Sequence, residues 1–165
     1  MRNKQKGFSL IELLIVVAII LIIAAIAIPN LLRSRMAANE ASAVGSVRTI
    51  VTSEVTYNST WNVGFAAALT NLGGAAPCTA SSTTACLVDQ SLAGGSKSGY
   101  TFAAPGGAAV NAIVNTFAVS GVPVSVGQTG QRAFCSDESG VVRSDPTGLI
   151  AAGTDTACEA LTPLQ

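Results

Sequence analysis

Between Leu13 and Ile28 the chain has no polar side chain, and the wider run from Phe8 to Ile28 has two, Ser9 and Glu12. As a helix this run reaches about 31 Å, just long enough to cross a bilayer. After Pro29 the pattern turns amphipathic: Leu31, Leu32, Val44, Val47, Val51 and Val55 recur near spacings of three and four, while Arg33, Arg35, Glu40, Arg48 and Glu54 supply polar positions. The helix is therefore predicted to continue to about Asn58, roughly 50 residues and about 75 Å, with Gly45 a tolerated weak point costing about 1 kcal/mol. Pro29 lacks the amide that would bond back to Ala25, so a kink or local unwinding is expected there.

Beyond Trp61 the composition shifts to Gly, Ala, Ser and Thr. Turn signals at Gly73-Gly74, Pro77 and Gly94-Gly95 mark residues 59–98 as a connecting loop, with a short helix near Gly64 to Leu72. Segments Gly99 to Ala103, Asn115 to Val124, Gln131 to Cys135 and Gly140 to Arg143 alternate as antiparallel strands with one face on the helix. The tail from Ser144 to Gln165 has no strong period. The predicted fold class is α+β: a long N-terminal helix, half hydrophobic and protruding, packed on a small antiparallel sheet. The helix divides into an apolar part, 8–28, and an amphipathic part, 29–58; the sheet and a disulfide-closed tail take 99–165.

Glu12 breaks the apolar run. An ionised carboxylate costs roughly 2.5 to 3.5 kcal/mol at a bilayer centre unless a partner relieves it. Arg2, Lys4 and Lys6 precede the run and place the start of the chain on the cytoplasmic side of a membrane. Three processing schemes compete: a signal peptide cut after Ala25-Ile26-Ala27, an uncleaved signal anchor, and cleavage after Gly7. The last explains more residues, because it leaves Phe8 as a new N-terminus one helical turn from Glu12. The ammonium and the carboxylate then neutralise each other between neighbouring copies, and the acid acts as a register device.

The stretch Lys6-Gly7-Phe8-Ser9-Leu10-Ile11-Glu12-Leu13-Leu14 resembles the class III signal of type IV prepilins and related pseudopilins. The resemblance implies a leader, 1–7, removed between Gly7 and Phe8 by a prepilin peptidase, and N-methylation of Phe8. It implies that Glu12 pairs with a neighbour's N-terminus during assembly, and that Pro29 matches a position where the helix extends or melts as subunits pack. The type IV pilin fold follows for the mature chain. The function implied is a structural subunit of an extracellular type IV pilus for adhesion, surface motility or DNA uptake. A major pseudopilin of type II secretion is the nearest alternative, and a membrane-anchored binding domain the next. The implied partners are further copies of the chain, the peptidase, the inner-membrane assembly machinery and the membrane itself. The implied location is the bacterial inner membrane, then the cell surface.

Four cysteines, at 78, 86, 135 and 158, allow three disulfide pairings; proximity favours Cys78 with Cys86 and Cys135 with Cys158. His is absent, which removes imidazole acid/base chemistry and His metal ligation. Net charge is zero, and minus three without residues 1–7, so no basic surface for nucleic acid is indicated. Asp137, Glu138 and Asp145 are the weak metal candidates; their spacing fits no EF-hand, and a hairpin turn explains them. Gly94 to Ser98 lacks the Gly before Lys of a phosphate loop. Asn58-Ser59-Thr60 and the run Thr79 to Thr84 read as solvated segments rather than glycan acceptors. No cofactor and no enzymatic activity are predicted.

Overall fold

The computed structural model describes residues 8–111, 113–150 and 158–164. Its first element, α1, runs Leu10–Trp61. The others are α2 (Leu69–Leu72), α3 (Gln90–Ala93), β1 (Ser96–Lys97), β2 (Tyr100–Ala103), β3 (Ala109–Val110), β4 (Ile113–Val114), β5 (Ala118–Pro123), β6 (Ala133–Asp137), β7 (Arg143–Asp145) and β8 (Thr162–Pro163). The chain divides into two compact units, one ending at Arg35 and the other beginning at Met36.

In the first unit every large apolar side chain from Phe8 to Leu32 is exposed, from 46% at Val17 to 79% at Phe8 and Leu10. Among the described residues this is the one helix long and apolar enough to cross a membrane. Helical backbone continues without interruption through Pro29, so the expected unwinding is absent. A proline deletes one donor and crowds one carbonyl, and the intact hydrogen bonds of the neighbouring turns hold the helix across that gap.

In the second unit, all strand pairs are antiparallel and a six-stranded sheet has the order β1-β2-β5-β6-β7-β8, with β3 and β4 forming a separate hairpin. The core joins Val47, Ile50 and Tyr57 of α1 to Tyr100, Phe102, Phe117, Val119 and Phe134. Burial of such side chains contributes about 1.5–3 kcal/mol each, and this is what holds the sheet to the helix. All five residues of β6 are buried. Phe134 joins the core, while Cys135, on the opposite face, bonds to Cys158.

The buried row of α1 is Ala43, Ser46, Val47, Ile50, Ser53, Glu54 and Tyr57. The predicted apolar row shares just Val47 with it, and Val55 is 55% exposed. Val44 and Val51 pack against the core from its edge, so hydropathy marked the right side of the helix but missed the three polar residues, Ser46, Ser53 and Glu54, that are buried on it. Strand limits also moved. β5 begins at Ala118 rather than Asn115 because Thr116 belongs to the return from the β3–β4 hairpin, where its carbonyl accepts from the Gly107 amide at 2.8 Å. β7 begins at Arg143 rather than Gly140, since Asp137 to Gly140 closes a turn with the Gly140 amide on the Asp137 carbonyl at 3.0 Å. In the tail, β8 pairs with β7.

A clamp fixes α1 to the segment entering β6. Glu40 Oε1 accepts from the amides of Gln131 (2.9 Å) and Arg132 (3.1 Å), and Oε2 from Arg132 Nε (2.9 Å) and Nη2 (2.8 Å). Burial pushes the Glu40 carboxyl up, but the Gln131 amide and the Arg132 side chain and amide outweigh it and hold the group below its ordinary value of 4.5. A depressed acid stabilises the fold above that value and loses its contribution as pH falls below it. Glu40→Ala should cost about 2 kcal/mol at pH 7, read as a lower urea midpoint, with a smaller penalty at pH 3.5.

Candidate functional site

The start of α1 carries the sequence-predicted processing and assembly residues. Gly7 lies outside the described residues. Phe8 is exposed, and Ser9 precedes the first helical residue, with its carbonyl accepting from the Leu13 amide at 3.3 Å. Glu12 occupies the third helical position, and its Oε2 accepts from the Ser9 backbone amide at 2.9 Å. This contact is one half of a capping box, in which the acid satisfies a donor that the helix leaves orphaned. A carboxylate in the first turn also meets the positive end of the helix dipole. Ser9-x-x-Glu12 carries this signal in the sequence. Glu12 is exposed, so the carboxylate that caps its own chain remains accessible to a second donor.

Both disulfides join cysteines close in the chain: Cys78–Cys86 with Cα atoms 6.1 Å apart, and Cys135–Cys158 at 5.9 Å. The ring closed by the first holds Thr79, Ser81, Ser82 and Thr83 at the surface. Tyr57 Oη donates to the Ser82 carbonyl at 2.6 Å, and the Ala85 amide donates to the Asn71 carbonyl at 2.7 Å, so ring and helix are linked. Asn58 sits in the last turns of α1.

The acidic candidates are not brought together. Asp137 ends β6 opposite Ala118, whereas Asp145 ends β7 opposite Ala133 at the other end of the same strand. Four residues of strand separate the two, about 13 Å. Each closes its own turn: Asp137 Oδ1 accepts from the Ser139 amide (2.9 Å) and hydroxyl, and Asp145 Oδ1 from the Thr147 amide at 2.8 Å. Glu138 is exposed. Among the described residues no three His, Cys, Asp or Glu side chains gather as metal ligands. Lys97, at the end of β1, is held by Asp89 at 2.8 Å. The Lys97 ammonium and the Ser91 hydroxyl hold the Asp89 carboxyl well below the usual range, and the same carboxyl caps α3 through the Leu92 amide at 3.0 Å.

Two comparisons bear on this N-terminal arrangement. Residues 2–28 match the model of the prokaryotic N-terminal methylation motif. The chain is also similar to the type IV wide pilus major component PilA4 of Thermus thermophilus, 68% identical over 40 residues; that stretch is 24% of this chain and 30% of the relative. No solved structure matches. Motif and relative point the same way: the N-terminal segment of this chain carries the methylation motif and is similar to that of a type IV pilus major component, and the similarity spans less than a third of either chain.

Proposed function

We propose that the chain is a structural subunit that polymerises through its N-terminal helix into an extracellular type IV pilus for adhesion, surface motility or DNA uptake. The observation that carries this reading is the exposure of every large apolar side chain from Phe8 to Leu32, in a helix whose start bears the methylation motif. A helix apolar on every side requires lipid or other copies of itself around it. Repetition of one heterologous contact by a rotation that does not close gives a filament. In this reading residues 1–7 form a leader, a prepilin peptidase cuts between Gly7 and Phe8, and Phe8 is N-methylated. The subunit waits in the inner membrane until assembly machinery draws it into the fibre. Segment 8–28 then lines the filament core, 29–58 joins it to the sheet, 59–98 forms the connecting loop, and 99–165 is the sheet with its disulfide-closed tail. The role is structural, without catalysis. Deleting the gene and imaging the cells tests it: long surface fibres should disappear. Intact fibres accompanied by lost enzyme secretion would contradict the pilus and support a type II secretion pseudopilus.

A further inference from the structure

Glu54 is fully buried on the inner face of α1. Its Oε2 accepts from the Ala66 amide at 2.8 Å, and its Oε1 has no hydrogen-bond partner. Ala66 belongs to the segment that leaves α1 and turns back, through left-handed backbone at Asn62 (φ 52°) and Gly64 (φ 86°). One helical turn further along α1, Tyr57 holds the carbonyl of Ser82 inside the Cys78–Cys86 ring. Two residues of one helical row thus grip both limbs of the loop between α1 and β1, at Ala66 and at Ser82.

The chemistry of the two grips differs. A phenol donating to a carbonyl is neutral across the physiological range. A carboxylate with one donor and one bare oxygen in a dry interior is expensive when ionised and far less so when protonated. Burial pushes the Glu54 carboxyl up to about 7, with the Ala66 amide opposing. Among the described residues no cationic side chain and no second carboxylate acts on it; the titratable neighbour is Tyr57, raised by its own burial and then by the Glu54 charge.

We propose that Glu54 is a proton-operated latch: protonated, it clips the loop to α1 through Ala66, and ionised, it weakens that clip. When the proton passes to water, the buried charge is relieved by opening the segment around Ala66, where both oxygens reach solvent. The sign is that of a raised acid. The latch is at full strength below about 4.5 and loses strength as pH rises to about 7, above which folded and opened states are both ionised and the loss levels off. The loop that overlies α1 is therefore held more tightly in mildly acidic surroundings than in neutral ones. This latch lies wholly in the unit that begins at Met36 and stands apart from whether the chain forms filaments.

Hydrogen exchange by mass spectrometry on the full chain in detergent micelles, from pH 5 to 8 and normalised for intrinsic exchange rates, tests it. Protection of the peptide containing Ala66 should fall about tenfold per pH unit up to about 7 and then level off. Peptides from β5 and β6 should hold constant, and Glu54→Gln should remove the pH dependence at Ala66 while retaining an acceptor for its amide. Flat protection in the unaltered chain, an unchanged profile in Glu54→Gln, or a parallel fall in β5 and β6 would each overturn the latch.

Discussion

Replacing Glu12 by Ala is expected to abolish long filaments while the precursor is still cleaved and still found in the membrane. The carboxylate is exposed and accepts one bond, from the Ser9 amide. Losing a first-turn cap of this kind costs an isolated helix about 1 kcal/mol, too little to unseat an apolar run of this length from a bilayer. A charge that must leave water during polymerisation is another matter, since an unpaired ion in that setting costs several kcal/mol and its pairing sets register. Glu12→Gln separates the two roles: it keeps an acceptor for Ser9 yet removes the charge. Electron microscopy of surface fibres beside immunoblots of membrane fractions should show Glu12→Gln failing as Glu12→Ala does. Normal fibres in Glu12→Gln would show that the acid serves as a cap and not as a charge partner.

Gly130→Ala should unfold or severely weaken the sheet unit, with a loss of about 3 kcal/mol. A Cβ at this position would lie 2.6 Å from Tyr100 Cζ and 2.8 Å from Cε2, and would overlap the hydroxyl oxygen. Tyr100 is fully buried and cannot swing aside. Its Oη donates to the Arg132 carbonyl at 2.8 Å, and burial with the nearby Glu40 charge pushes the phenol up to about 12 despite the opposing Arg132 charge. Displacing the ring breaks that bond and disturbs Phe102 and Phe134, whose centroids lie 6.4 and 6.0 Å from it. The measurement is the urea midpoint of the variant, with Gly127→Ala as comparison. A Cβ at Gly127 would meet only Gln131 Oε1, at an ordinary 4.0 Å, but the φ of +80° makes alanine strained there, so it should lose stability by backbone conformation and by less than Gly130→Ala.

The sequence was most legible where one physical demand dominates. An all-apolar run needs no period to be read, and the residues from Lys6 to Leu14 combine a small residue, an aromatic and an acid at spacings that few other segments satisfy. It was least legible where polar residues serve the interior. Ser46, Ser53 and Glu54 lie on the buried face of α1, where hydropathy marked Val44, Val47, Val51 and Val55, of which only Val55 is exposed. Glu54 is tolerated there because the Ala66 amide meets it, a contact made by residues on opposite sides of a chain reversal. The two-residue strands β1, β3, β4 and β8 are too short to carry an alternation, and α3 is specified mainly by its Asp89 cap. The capping box at Ser9 and Glu12 is legible in the letters, because it needs only a Ser and an acid three residues apart at the start of a helix.

The central claim is that this chain becomes a filament subunit once a new N-terminus is made beside Glu12. The intact mass of subunits taken from purified surface filaments tests it most directly. The account predicts a mass lacking Met1 to Gly7 and carrying one added methyl group at Phe8. A mass that retains the leader, or that begins beyond Ala27, would contradict it.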